Sequence, residues 1–480
     1  ILFKKRKRDF MKINKKLLLT LSSAACCGIL TLTSCSLGGA PDPRRTDFRT
    51  VEFDENTSAK ITFWHTLSQD KQELLASFID GFKELYPNIT ITHTSQGDYD
   101  GLAEKVKKSF SAKTTPTMSF CYPDHVAAYG KPYVLQLDGY EGAMLSLEDE
   151  SYESSFIEEF LNEGRKYGDG FTYSMPYAKS TEAMFYNSTF FEYKGYSVPT
   201  YWENPDDPND LNSIIGLARA IKKEFPNKTP IGYDSDSNLF ITLCKQYNVP
   251  YTKAVFDENG KLDKENSFIF NNQATKDLVK KLKGWYDEGL IITKGTLPAG
   301  KYTSSELVAG NLFMSIGSTG GTGYNNTNDF EGKVAPIPQQ ANFDASNYSK
   351  ALILQGPSIC FFTTPKITDV QLRAAWEFYK YITNTDNSAL YSSVTGYEPV
   401  HQASYESEMY SPELTSALNV LVAGITSKPE IQEAYYTSDV FPGSDVARNA
   451  VGGIITDVFA GTYSIDTAFN KAFDLCMSSK

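Results

Sequence analysis

Apolar positions along this chain fall into short runs and helical stripes that alternate in a regular order. The pattern opens at Lys60–Trp64, KITFW, a β-rich run. Leu74, Leu75, Phe78, Ile79, Phe82 and Leu85 then recur at helical spacing, a stripe that Pro87 ends. Ile89–Ser95 alternates as a second strand, a helix spans Leu102–Ala112, and Met118–Tyr122 makes a third strand. Strand, helix, strand, helix, strand predicts a parallel sheet with crossover helices.

A second α/β set follows a helix around Phe156–Leu161. Strand-like pieces at Phe171–Met175 and Ala183–Asn187 bracket the stretch Pro176–Thr181. The spacing then predicts a helix over Leu211–Phe225, a strand at Ile231–Tyr233, and helices over Leu239–Tyr247 and Ala274–Tyr286. Leu312–Ile316, Val334–Ile337 and Ser358–Phe362 read as strands, with the loop Gly317–Gly323 after the first of them. The last third turns helical, over Val370–Ile382, Ser388–Val394, a segment after Pro442, and Ile465–Met477.

Ahead of this body, Lys12, Lys15 and Lys16 precede an almost uncharged run from Leu17 to Leu32. That is the basic and apolar pattern of an export signal. The run is short of the roughly 20 apolar residues that a membrane-spanning helix needs. Leu32-Thr33-Ser34-Cys35 resembles a bacterial lipobox, which implies cleavage before Cys35 and acylation of that cysteine. Several acyl chains hold a protein at a membrane stably. Residues 1–34 are therefore expected to be a signal, with 1–10 set aside because the signal pattern starts at Met11, and 35–58 a lipidated, Gly- and Pro-containing tether.

Charge sharpens this picture. The whole chain carries −12, and removing residues 1–34 leaves 38 basic against 57 acidic residues, about −19. An acidic body disfavours nucleic acid and anionic membrane surfaces as partners, since both reward clustered Lys and Arg. Of seven cysteines, Cys121, Cys244, Cys360 and Cys476 lie in the body. None has metal-ligand spacing, and each sits among apolar or helical neighbours as a small hydrophobe. Length alone suggests two domains in succession.

Four motifs in order change that last reading. They are ITFWHTL (Ile61–Leu67) with QGDYDGL (Gln96–Leu102), then SMPYAKSTEAMFYN (Ser174–Asn187) followed by VPTYW (Val198–Trp202). AGNLFMSIGSTGG (Ala309–Gly321) before VAPIPQ comes next, and AAWEFYKYI leading to TGYEPV (Thr395–Val400) closes the set. Their joint order resembles the extracellular solute-binding proteins of ABC importers, family 1, in the branch of maltose- and glycerol-3-phosphate-binding proteins. The resemblance implies an α/β, two-lobed periplasmic-binding-protein-like fold with three inter-lobe crossings, near Met175–Thr181, Gln355–Ser358 and Gly396–Pro399. The lobes would then be discontinuous: residues 59–176 plus 357–396, and 177–356 plus 397–480. It implies a sugar or polyol-phosphate captured between the lobes and delivered to ABC permease subunits. The protein is expected to act as a monomer outside the cytoplasm, lipid-anchored to the cell membrane, with no cofactor, metal or nucleic acid and no bond made or broken.

A sugar or polyol site needs aromatic faces and hydrogen-bonding groups in a dry cleft. Trp64 ends the first strand, where α/β sheets place ligand contacts, with core packing as its other reading. By resemblance, Tyr99 matches a ligand-touching tyrosine, and Asp124 lies near an acidic residue that accepts ligand hydroxyl protons, against a helix-capping role. Ser180 matches a serine on the first crossing, and Trp202 a tryptophan that stacks on ligands or packs beneath a helix. Ser237 is a candidate whose alternative is N-capping. Ser318 lies in the loop Gly317–Gly321, where backbone N–H groups can approach a ligand. Gly356 and Tyr397 match contact positions on the second and third crossings. Arg448, in FPGSDVARNAVGG, resembles an arginine that reaches phosphate or hydroxyl groups, for which a planar donor fork is suited. No second cation is placed beside it by the sequence, so neutral sugar, phosphodiester and phosphomonoester stay open. The glycine loop lacks the following Gly-Lys-Ser/Thr of a phosphate-binding loop. The competing functions are a secreted glycoside-processing enzyme, which needs two carboxylates at a set separation, and a surface adhesin lipoprotein.

Overall fold

In the computed structural model, which describes residues 46–340, 350–410 and 415–479, the KITFW run forms the centre of β1 (Ala59–His65). The expected signal, Cys35 and the expected tether as far as residue 45 lie outside the described residues, and residues 46–58 correct the tether expectation: Phe48 is buried in the first core and its N–H donates to the Gly142 carbonyl at 2.8 Å. Alternation puts Ile61, Phe63 and His65 inside. His65 hydrogen-bonds His93 across the sheet at 3.0 Å, a structural role of the kind its position suggests. Helix α1 (Gln69–Leu85) returns over the sheet and buries Leu74, Leu75, Phe78 and Phe82. β2 (Ile89–Ser95), α2 (Tyr99–Ala112) and β3 (Met118–Cys121) complete a parallel three-stranded unit. A short helix α3 (Pro123–Tyr129), with proline in its first turn, follows directly.

The expected strand over Phe171–Met175 contracts to β4 (Met175–Pro176). Thr172 is held off the ladder because its N–H donates to the Asp138 carboxylate at 2.8 Å. β5 (Glu182–Asn187) begins the second unit, whose first long helix α4 (Ile214–Glu224) starts three residues later than the pattern suggested because Ser213 caps it. Then come β6 (Ile231–Tyr233), α5 (Asp236–Gln246), α6 (Gln273–Asp287) and β7 (Ile291–Thr293). β8 (Met314–Ser318), β9 (Gly332–Pro336) and β10 (Leu352–Ile353) lead back to β11 (Ser358–Phe361). The C-terminal part carries α7 (Asp369–Ile382), α8 (Thr385–Thr395), α9 (Ala417–Thr426), β12 (Tyr435–Tyr436), α10 (Ser444–Phe459) and α11 (Ile465–Ser478).

Two five-stranded sheets result, in the orders β2-β1-β3-β11-β4 and β7-β6-β8-β5-β9. Each carries its own apolar core. Phe63, Phe120, Phe361 and Trp376 belong to the first, and Trp202, Tyr233, Leu243, Trp285 and Ile455 to the second. The two-lobed α/β fold that the motifs implied is the fold observed. β11 enters the first sheet antiparallel to β3 and β4, after the chain has returned from the second. Cys121, Cys244, Cys360 and Cys476 are free thiols, all buried.

The three crossings lie side by side. Lys179 and Glu398 exchange backbone hydrogen bonds at 3.2 and 2.6 Å, and Ser180 and Gln355 do so at 3.0 and 2.7 Å. Between the sheets the chain is thus a narrow three-stranded ribbon, the geometry of a hinge. Gly356 makes its tight passage possible: its φ is +84°, and an added Cβ would come within 2.2 Å of the Ala178 carbonyl oxygen.

Candidate functional site

A cleft of about 780 Å³ opens between the two sheets above this ribbon. Its first-lobe wall comes from Lys71 in the first turn of α1, Tyr99 at the start of α2, and Tyr122 just after β3, joined by Tyr397 from the third crossing. The facing wall is Glu182, Asp234, Ser235, Ser237, Asn238, Lys294, Ser318 and Arg448, and Gln355 joins them from the second crossing. Another cavity, of about 690 Å³, lies over β9 and β10 among Val198, Ile337, Leu352, Ile425 and Ile431. Its lining is mainly apolar, with Thr200, Gln340, Lys350 and Glu430 among the polar residues, and all of it comes from the second lobe's elements, whereas the inter-lobe cleft draws polar groups from both sheets and is the better candidate for a hydroxylated ligand.

The tyrosines form a continuous aromatic wall. Tyr99 and Tyr122 pack at 4.6 Å between ring centroids, and Tyr397 stands close enough to Tyr99 for their hydroxyls to act on each other electrostatically. Tyr397 is seated on the glycine loop, where a Cβ on Gly320 would lie 2.7 Å from its ring. That contact requires glycine at 320. Asp98 caps α2 by accepting from Gly101 N at 2.7 Å, which fixes the turn that presents Tyr99.

On the facing wall, a relay runs from the interior to the cleft. Buried Glu182 accepts from the Tyr233 hydroxyl and from Asn238 Nδ2 at 3.1 Å, and Asn238 Oδ1 in turn accepts from Arg448 Nη2 at 2.7 Å. Burial raises the Glu182 carboxyl to about 7, against the opposing hydrogen bonds from Tyr233 and Asn238. Asp234 is likewise raised by burial while it accepts from Thr303 N and Oγ1 at 2.7 and 3.0 Å. Both carboxylates are committed to protein donors. Lys71 is lowered by burial, partly offset by neighbouring Asp70, and its ammonium sits 4.9 Å over the Tyr397 ring.

Five of the residues singled out from the sequence meet in this cleft: Tyr99, Ser237, Ser318, Tyr397 and Arg448. Ser237 is not the cap of its helix, because Ser235 accepts from Asn238 N and takes that role. The others lie outside the lining. Ser180 is buried one layer back, accepting from Ser318 Oγ at 3.2 Å. Gly356 shapes the hinge turn, and its carbonyl accepts from Lys179 Nζ at 2.8 Å. Asp124 sits in the first turn of α3, accepting from His125 N at 2.9 Å. Trp64 points to the sheet face opposite Phe63 and packs against the first core. Trp202 is a correction to the stacking role: it is fully buried, lies parallel to Trp285 at 6.1 Å, and donates Nε1–H to Gln246 Oε1 at 2.7 Å. A ring with no exposed face cannot stack on a ligand in this conformation.

Residues 77–416 match the family described as bacterial extracellular solute-binding protein. The chain belongs to that family. This solute-binding protein is 22% identical over 374 residues to the sn-glycerol-3-phosphate-binding periplasmic protein UgpB of Rhizobium meliloti (strain 1021), covering 74% of this chain and 78% of that one. Its fold is similar to UgpB from Mycobacterium tuberculosis, solved with glycerophosphocholine, at a TM-score of 0.66 and 16% identity over 88% of this chain and 98% of that one. The GacH receptor of Streptomyces glaucescens GLA.O, solved unliganded and with acarbose, gives 0.65 and 16%, over 88% of this chain and 100% of that one. As an extracellular solute-binding protein it works outside the cytoplasm.

In this solute-binding protein the sequence reading missed Lys71, Tyr122, Asn238 and Lys294, all of which line the cleft. Lys71 carried one legible signal, a cation in a helix's first turn, where the helix dipole disfavours it. Asn238 and Lys294 carried none, since only the tertiary fold brings α5 and the segment after β7 to the same opening.

Proposed function

We propose that this protein is the receptor of an ABC importer that holds a sugar or polyol-phosphate in the inter-lobe cleft and hands it to permease subunits. One observation carries the reading: a tyrosine wall faces a wall of amide, hydroxyl and guanidinium groups across a hinge of three paired strands. Aromatic faces suit the C–H surfaces of a polyol and the opposite wall suits its hydroxyls. Ligand binding would favour the closed lobes by its differential affinity for that state, with no bond made or broken. The relatives named above point the same way, two through glycerol-phosphate compounds and one through acarbose. We take 59–176 with 357–396 and 177–356 with 397–480 as the moving lobes, and Tyr99, Ser237, Ser318, Tyr397 and Arg448 as ligand contacts. Residues 1–34 are the export signal in this reading, and Cys35 carries the lipid anchor of a monomeric receptor.

Thermal shift and intrinsic fluorescence of protein beginning after Cys35 test the receptor role. Stabilisation by one member of a panel of sugars and glycerol phosphates is expected, and a flat response across the panel counts against it. For the anchor, Cys35→Ser should release the protein from membranes with ligand affinity unchanged, whereas membrane retention of that variant overturns the lipid assignment.

A further inference from the structure

Lys71 is placed where three physical terms oppose it. It stands in the first turn of α1, against the helix dipole. It is half-buried in the cleft wall, and that burial disfavours its charge. Among the described residues it forms no ion pair: adjacent Asp70 accepts from the Ser68 hydroxyl and offsets the Lys71 charge only through space, and the ammonium lies over the Tyr397 ring. Arg448 across the cleft likewise forms no ion pair among the described residues: its hydrogen-bond acceptor is the neutral amide of Asn238, and the Glu182 carboxyl acts on it only through space. The lining carboxylates compensate only in part. Glu182 and Asp234 are engaged by Tyr233, Asn238 and Thr303, Asp98 caps α2, and Asp100 is exposed in the first turn of the same helix.

Half-buried cations that lack an ion-pair partner favour an anion between them, because pairing recovers part of what burial cost. The two cations belong to opposite lobes, Lys71 to the first and Arg448 to the second, with Tyr397, Tyr99 and Tyr122 between them along one wall. Resting on the receptor reading above, we propose that Lys71 is the charge-selecting residue of the cleft. The ligand it selects is a polyhydroxylated compound bearing a phosphate group, whose negative charge draws the cations of both lobes together on closure. Lys294 is the weaker third cation, because it lies 4.2 Å over the Tyr302 ring and beside Asp234.

The test is isothermal titration of the protein beginning after Cys35, and of its Lys71→Gln and Lys71→Arg variants, with four probes: glycerol-3-phosphate, glycerophosphocholine, glycerol and maltose. A lost charge-assisted contact corresponds to a weakening of about 10- to 100-fold. The expected result is that K71Q weakens the phosphate probe by that much, K71R restores most of it, and affinity for that probe falls with added salt. The two phosphate probes separate a monoester from a diester as its source. Binding of maltose or glycerol that K71Q leaves unchanged, without phosphate binding, overturns the charge-selecting role while the receptor reading stands. Equal losses for neutral and phosphate probes in K71Q also overturn it. No binding of any probe by the wild-type protein removes the receptor reading and this inference with it.

Discussion

Arg448 reaches the cleft with its guanidinium steered by Asn238, whose Oδ1 accepts from Arg448 Nη2 at 2.7 Å while its Nδ2 donates to buried Glu182 at 3.1 Å. A flexible arginine thereby inherits the rigidity of the second sheet, since Glu182 begins β5 and is itself held by Tyr233 on β6.

Asn238→Ala removes the guide and strips Glu182 of one donor. The expected cost is about 1–3 kcal/mol of stability, together with a loss of affinity for any ligand that uses Arg448. Urea unfolding and titration calorimetry read the two effects separately. Unchanged affinity in N238A would show that Arg448 needs no guide.

Trp202 is expected to matter to folding and not to binding. Trp202→Ala should destabilise by about 3–5 kcal/mol, the range for a large buried aromatic. Trp202→Phe should cost less, losing mainly the hydrogen bond to Gln246. Ligand affinity of the folded fraction should stay within about twofold, since the cost lies in packing. A large affinity loss in W202F would return this ring to the ligand.

At the hinge, Lys179 Nζ and Glu163 form a fully buried ion pair, completed by the Gly356 carbonyl and the Ser358 hydroxyl. Lys179→Met leaves Glu163 buried without its countercharge, which costs about 3–5 kcal/mol. The double variant Lys179→Met with Glu163→Leu should recover most of that loss, because both charges are then gone. If the double variant is no more stable than K179M, the pair is not the source of the loss.

A pH dependence follows from Glu398, on the third crossing, whose carboxyl burial raises from an ordinary 4.5 to about 7, against lowering by Tyr435 and Lys179. The folded state holds that proton more tightly than the unfolded chain does. Its stabilising contribution is therefore complete below about pH 4.5 and is lost as pH rises through about 7. Between those limits the slope approaches about 1.4 kcal/mol per pH unit. Glu398→Gln, permanently neutral, should gain stability relative to wild type between pH 5 and about 8. Parallel melting temperatures for the two proteins across that interval would contradict it. Glu182, raised to about 7 by its own burial, contributes with the same sign and persists in the variant.

By itself the sequence determined the elements and their order. Period-two runs such as Ile89–Ser95 and helical stripes such as Leu74–Phe82 depend on local alternation, which a linear chain displays in full. The motifs carried the two-lobed topology as well, with crossings at Lys179, Gln355 and Glu398 that pair in the structure. What only the tertiary structure decided was which side chains share a space. Trp64 and Trp202 look as ligand-ready in sequence as Tyr99 does. A β-strand's two faces and a core's far side are separated only when sheets pack, and packing sent Trp202 inward and Tyr99 to the cleft. Lys71 and Arg448 stand 377 positions apart in the numbering, yet they line one opening because the chain crosses between its lobes three times. Charge balance in a cleft is a property of that closed arrangement, which no local window of the sequence contains.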